Sequence, residues 1–337
     1  MVRSNLVSIS VGYPMPLQII LKNTQSVASP SPFQQMLQLE ASEINSVLPS
    51  STPQVASDFH NIRFKYNNSY IPAWLESISN GVATIWVKLP VSIPANSSIT
   101  IDMEVNPSLN FDGNYWGENP LLTSTYGQYD NGANVFGAYD NFAGTLLSSQ
   151  WASVNSPTIT VNNGITVAGN VNSAGGIYLK TKYSFPAVLE AYSGNTWSAA
   201  GFMFVNDING APFSYNTWWA IGSLPGQAYN GMVADPWGTI SGGNAFQYAI
   251  NGTTYTFGSS VSSIILNNIV SIYSSGSQIG QLINYGSTNS QSTSASLLST
   301  TYYIEIGAAS GNSISLHWIR YRAYPPNGVM PSVEVIA

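Results

Sequence analysis

An all-β fold built as two sandwich-like domains is what this sequence predicts, on three observations. Apolar and polar residues alternate over short runs, the two-residue period of strands with one buried face. Clusters of Gly, Pro, Asn and Ser interrupt those runs at short intervals. Helical periodicity is nearly absent. The 337 residues suit roughly two domains, and 44% apolar with 12% aromatic residues is enough to bury a core. Only 7% of residues are charged, so the polar surface must come from Ser, Thr, Asn, Gln, Gly and Tyr.

The elements follow in chain order. Residues 1–15 carry a short strand pattern, with Leu6, Val7, Ile9 and Val11 as its apolar set, and Pro14 and Pro16 separate it from the body. It can pair within its own domain, or complete the sheet of a neighbouring copy by donor-strand complementation. An apolar run over 17–21 reads as a strand. The spacing of Phe33, Met36, Leu37, Ile44 and Val47 predicts a helix over 32–47, with Ser31 as cap, Pro32 in the first turn and Gln34 completing a capping box. Residues 82–89 place Ala83, Ile85, Val87 and Leu89 on one strand face. Residues 98–105 place Ile99, Ile101, Met103 and Val105 inward, and Thr100, Asp102 and Glu104 outward.

Beyond residue 140, strands are expected over 158–167, 176–182, 187–192, 199–205, 217–221, 245–250, 264–273, 302–307 and 313–323. Strands of that length and spacing suit a sandwich or barrel. Asn163-Gly164, Asn209-Gly210 and Asn251-Gly252 are tight-turn signals, and the first would split its run into a hairpin. The stretch 106–139 is rich in Gly and Asn yet aromatic, unlike a flexible linker. The expected division is therefore an N-terminal strand extension (1–15), a first domain (16–125), an ordered connector (126–139) and a second domain (140–337).

Composition excludes several function classes. Nine basic against fifteen acidic residues, with no basic run, exclude nucleic-acid binding by phosphate neutralisation. The absence of cysteine excludes disulfides, thiolate metal sites and thiol nucleophiles. No apolar run approaches the roughly 20 residues of a membrane-spanning helix. If the protein is exported, its signal or anchor is expected to lie outside this chain. Three sequons, at Asn67, Asn96 and Asn251, permit glycosylation and fit export. The scarcity of titratable groups limits the charge change on unfolding as pH falls, which suits an acidic exterior.

Little in the sequence points to bond-breaking chemistry. His60 and His317 lie far apart, and no Gly-x-Ser-x-Gly elbow is present. Glycoside hydrolysis needs two carboxyls flanking the bond. Glu190 and Glu305 lie in strands and could face one cleft, or each could pair with a scarce Lys or Arg. Asp102 and Glu104 project together and could contribute to a hard-cation site, though two ligands are far from the six to eight that calcium takes. No metal site and no cofactor are expected. Trp218, Trp219 and Trp237 are the candidates for stacking against sugar rings, against the alternative that they pack the core.

Two stretches carry a family resemblance. The first contains Phe59-His-Asn-Ile-Arg-Phe-Lys-Tyr, Ile71-Pro-Ala-Trp-Leu-Glu, Ile85-Trp-Val-Lys-Leu-Pro, Ile93-Pro-Ala-Asn-Ser-Ser-Ile-Thr-Ile and Val135-Phe-Gly-Ala-Tyr-Asp-Asn-Phe. It resembles the DUF2341 family of exported bacterial and archaeal proteins, with Val105-Asn106 departing where the family pattern has a Tyr. Pro30-Ser-Pro-Phe-Gln-Gln-Met is similar to archaeal members from thermoacidophiles. The second stretch opens at Tyr139-Asp-Asn-Phe-Ala-Gly-Thr-Leu-Leu-Ser-Ser-Gln-Trp and closes at His317-Trp-Ile-Arg-Tyr-Arg-Ala-Tyr-Pro-Pro, and resembles a concanavalin A-like (laminin G-like) jelly roll. The resemblance implies cell-surface exposure and contact with carbohydrate, with no defined catalytic residues.

The expectation is a non-enzymatic extracellular or cell-surface protein, structural or adhesive, in which strand exchange would build a filament. Its partners would be further copies, other surface proteins or polysaccharide. A carbohydrate-binding module is the alternative, and a glycosidase the third reading.

Overall fold

A computed structural model describes residues 17–170, 174–197, 200–206, 231–240, 243–251, 253–261, 266–287, 289–298 and 300–336. The chain divides into two units, one built from residues up to 139 together with 325–337, the other from 140–324. Both are all-β.

The first unit contains strands β1 (Leu17–Asn23), β2 (Phe33–Glu40), β3 (Ile62–Tyr66), β4 (Ser69–Ile71), β5 (Ala73–Ser79), β6 (Val82–Leu89), β7 (Ser97–Val105) and β8 (Trp116–Glu118), with helix α1 at Ala41–Val47. A C-terminal strand, Ser332–Ile336, also belongs to it. One sheet runs C-terminal strand–β1–β7–β3–β4, and the other β2–β6–β5–β8. Alternation decides the inward faces. Leu17, Ile19, Leu21, Phe64, Ile101 and Met103 are buried from the first sheet, and Leu37, Ala73, Leu75, Ile85 and Val87 from the second. The Phe64 and Trp116 rings meet edge to face between the sheets at 5.8 Å.

The other side of the second sheet is also covered, by chain between residues 126 and 139. Trp74 packs edge-on against Phe136 and Tyr139, and Trp86 against Phe136. Asp130 accepts the Trp74 indole N–H at 2.8 Å, and Asn131 donates to the Ala73 carbonyl. Gly117 is required here, because a Cβ would stand 2.2 Å from the Tyr129 carbonyl oxygen. The segment expected as a connector is thus a layer of the first unit.

Two expectations are corrected. Phe33–Glu40 is a strand paired with Val82–Leu89 from Phe33↔Leu89 to Glu40↔Val82, and only Ala41–Val47 is helical. The real period is Phe33, Gln35, Leu37, Leu39. It is masked because Gln35 is polar, yet Gln35 is buried and donates to the Pro331 carbonyl at 3.0 Å. The Ser31 hydroxyl bonds the Pro90 carbonyl instead of capping a helix. Residues 325–337, expected in the second domain, return to the first, where Gln18 faces Ile336 and Lys22 faces Ser332. The second unit is therefore an insertion between β8 and the C-terminal strand.

The second unit is a sandwich of two antiparallel sheets. In spatial order one contains Trp151–Val154, Gly175–Leu179, Thr301–Ala308, Ala200–Val205, Gly231–Ile240, Gly243–Ile250 and Thr253–Val261. The other contains Thr158–Val161, Ile165–Ala168, Ser313–Ala323, Ala187–Ser193, Ile269–Ser274, Ile279–Ile283 and Asn289–Thr293. The chain switches repeatedly between them, as in a jelly roll. Asn163-Gly164 splits the 158–168 run into a hairpin, as expected. Phe202, Phe204, Ile304 and Ile306 line one inward face, and Leu189, Ala191, Ile272 and Ile319 the other. Phe204 and Tyr321 touch across the gap at 6.4 Å.

Removing residues 325–337 strips β1 of a strand partner and Gln35 of one of its two carbonyl acceptors, leaving Met36. The expected cost to the first unit is about 2 kcal/mol or more in lost hydrogen bonds and apolar burial. Calorimetry should show an earlier transition, and unfolding at the unchanged temperature would contradict this account.

Candidate ligand-binding surface and buried carboxylates

The first sheet of the first unit has a polar outer face. Arg63 and Lys65 alternate with buried Ile62 and Phe64, and pair across the sheet with Glu104 and Asp102. Lys65 Nζ stands 2.6 Å from Glu104, whose carboxylate also accepts the Tyr70 hydroxyl at 2.9 Å. The hydrogen bond with Glu104 holds Lys65 above its ordinary pKa, and the same bond holds Glu104 below its own. Glu104 is thus engaged with Lys65 and Tyr70 rather than forming a cation site with Asp102. Among the described residues no group of three or more His, Asp or Glu is placed to hold a metal.

Beside this pair stand two exposed rings. Tyr70 is 40% and Tyr115 41% exposed, with centroids 5.6 Å apart at 44°. Lys65 Nζ lies 4.6 Å from the Tyr70 centroid. Tyr115 sits on a braced loop. Asp112 Oδ1 accepts the backbone N–H groups of Asn114, Tyr115 and Trp116, and Oδ2 accepts Arg63 at 3.0 Å. Arg63 is buried and also donates to the carbonyls of Ile62 and Asn110. Burial works against ionisation of Asp112, but the N–H groups and Arg63 outweigh it and hold its pKa low. Phe111 stacks on Trp116 at 5.5 Å.

Glu118 ends β8 beside Leu75, on the face of the second sheet that carries Ile85 and Leu37. It is only 6% exposed. Burial first, then the charges of Asp58 and Asp130, push its pKa from 4.5 to about 7. Asp130 remains an acceptor for Trp74, the Tyr139 hydroxyl at 2.6 Å and the Gly132 N–H. His60 Nδ1 lies 2.6 Å from Asp58.

In the second unit, Glu190 is fully buried and bonded to Arg320 Nε at 2.7 Å, to Arg322 Nε and Nη2 at 3.0 and 2.7 Å, and to the Ser271 hydroxyl. Burial alone would raise its pKa, but the two guanidiniums overcome this and bring it to about 2. Glu305, also buried, lies in the opposite sheet. Glu190 and Glu305 alternate with core-facing Leu189, Ala191, Ile304 and Ile306, so they point away from the core on opposite sides and share no cleft. His317 lies beside Tyr192, ring centroids 5.5 Å apart, with its pKa lowered by burial.

Other expected sites fare differently. Asn67, Asn96 and Asn251 are exposed, each in a left-handed turn conformation with φ of 47°, 49° and 50°. Trp218 and Trp219 lie outside the described residues, as do Leu6, Val7, Ile9 and Val11. Trp237 falls in the strand Gly231–Ile240, with its side chain outside the described set. Tyr70 and Tyr115 escaped the sequence reading. The Asn67-Asn68 turn signals that Tyr70 returns opposite Lys65. Nothing local reveals Tyr115, whose position depends on Arg63 reaching Asp112.

A family model described as a domain of unknown function, DUF2341, matches residues 58–113. "Uncharacterized protein 562" of Sulfolobus islandicus rod-shaped virus 1 is 33% identical over 340 residues, covering 93% of this chain and 58% of that protein. The chain thus spans less than two thirds of its curated relative. Among solved structures, the exoplasmic/lumenal domain of VIP36, in a Ca2+/Man3GlcNAc-bound form, is similar at 9% identity and TM-score 0.38, covering 58% of this chain and 99% of that one. Rv0315, a pseudo β-1,3-glucanase of Mycobacterium tuberculosis, is similar at 10% identity and TM-score 0.37, covering 56% and 98%.

Two outcomes are expected. Because the Glu118 pKa is raised in the fold, its stabilising contribution is complete below about pH 4.5 and is lost as pH rises to about 7. Urea midpoints for Glu118→Gln should therefore gain on the wild type between pH 4.5 and pH 8, and a constant difference would refute this. Glu190→Gln leaves two buried guanidiniums without their carboxylate and should cost roughly 3–5 kcal/mol. A loss under 1 kcal/mol by denaturant titration would mean that the arginines find other partners.

Proposed function

We propose that the chain is a non-enzymatic extracellular or cell-surface protein, structural or adhesive, that holds carbohydrate. The observation that carries the surface reading is the placement of the sequons. Asn67, Asn96 and Asn251 all stand exposed at turns, where an attached glycan displaces no packed side chain. Glu190 supports a role other than glycosidase chemistry, because a carboxylate held between two arginines is a poor proton donor or nucleophile.

A second reading, a filament assembled by strand exchange through residues 1–15, is favoured by one observation. Among the described residues the C-terminal strand is an edge of its sheet, so its outer backbone groups offer a template for a strand from another copy. Such a head-to-tail contact builds an open fibre unless it closes.

Glycopeptide mass spectrometry on protein from its native source should find modified Asn67, Asn96 or Asn251; three bare asparagines would remove the main support for the surface reading. Electron microscopy beside a variant lacking residues 1–13 tests assembly. Filaments formed only by the full chain, and resistant to moderate salt because few charges are available, are expected. Dispersed particles from both would eliminate strand exchange.

A further inference from the structure

We propose that the outer face of the first unit, rather than the jelly-roll unit, is a binding site for neutral polysaccharide, formed by Tyr70, Tyr115, Lys65 and Glu104. The proposal rests on the carbohydrate reading above and assigns it a place.

Four observations converge. The two tyrosines are exposed and touch one another, so they offer one continuous aromatic surface. Their exposure does not come from a loose loop. Tyr115 is fixed through the three N–H groups that Asp112 accepts and through buried Arg63, and Tyr70 is fixed by its bond to Glu104. A donor and an acceptor stand within a sugar ring's width of the aromatic surface, since Lys65 lies 4.6 Å from the Tyr70 centroid and 2.6 Å from Glu104. Finally, charges are scarce, yet Lys65, Asp102 and Glu104 gather on this one face.

A pyranose fits this combination. Its C–H face lies against an aromatic ring while hydroxyls donate to Glu104 and accept from Lys65. The positions are held before binding, so little ordering entropy is lost. A protein partner fits less well, because the centre of a protein interface is depleted in Lys, Glu and Asp, the residues that stand here. Asp102, Glu104 and Asp112 against Lys65 and Arg63 leave the face one net negative charge, which disfavours uronates and sulfated glycans and favours an uncharged polymer.

Affinity electrophoresis of the full chain through gels containing mannan, laminarin or dextran tests this, with alginate as the anionic comparison. The expected result is retardation by at least one neutral polymer and none by alginate. Tyr115→Ala and Tyr70→Ala should each weaken retardation at least tenfold, Glu104→Gln should weaken it too, and Tyr115→Phe should preserve it. Circular dichroism of each variant identifies any that fails to fold, and Tyr115→Phe with Glu104→Gln keeps the surface testable in that case. Retardation that survives in both alanine variants but is lost in Trp218→Ala, Trp219→Ala or Trp237→Ala would overturn this site and leave the carbohydrate reading standing. Wild-type mobility unchanged by every neutral polymer would overturn that reading together with the site.

Discussion

The pairing of β1 with the C-terminal strand is the constraint on which the first unit depends. Gln18 and Ile336 are opposite one another in a single ladder, although almost the whole chain separates them. Loop-closure entropy grows only logarithmically with length, so an inserted folded unit costs little more than a moderate loop. The consequence is kinetic as well as structural. The first sheet cannot be completed until the last residues are available, a contact of very high sequence separation that slows folding. Gln35 adds to the closure, reaching the Pro331 carbonyl from the second sheet of the same unit.

Scarcity of charge shapes the rest. Few ionisable groups are available, and several of the described ones are placed where they organise structure. Glu190 joins two strands through Arg320 and Arg322 in a fully buried ion cluster. Such a cluster contributes less to net stability than its bond count suggests, because both signs must be desolvated. Its better-supported effect here is register, since Glu190 lies opposite Arg320 and only that alignment satisfies both guanidiniums. Arg63 performs a similar service in the first unit, where it holds the Asp112 loop and thereby the position of Tyr115. Glu118 goes the other way. It is buried near two further carboxylates and is most at ease protonated.

Much of the architecture was legible in local pattern. The alternation of Val82–Leu89 placed Ala83, Ile85, Val87 and Leu89 on the buried face, and Asn163-Gly164 marked a hairpin. The strand Ser313–Ala323 has the bounds its pattern implied. Phe33–Glu40 was illegible because a buried glutamine broke the apolar period, and that glutamine donates both to its neighbour's carbonyl at Met36 and to the Pro331 carbonyl from the far end of the chain. The C-terminal strand looked like a continuation of the jelly roll because nothing in Val333-Glu-Val-Ile names its partner.

By itself, then, the sequence determined the all-β class, the strands that alternate cleanly and the chemistry the chain lacks, because these follow from composition and from periodicity within a few residues. Tertiary structure alone decided which strand closes the first unit, that Glu190 and Glu305 point to opposite sides, and that Tyr70 and Tyr115 meet beside Lys65 and Glu104. Those outcomes depend on pairings between residues far apart in the chain, where register and desolvation select one partner among many that local pattern leaves equivalent.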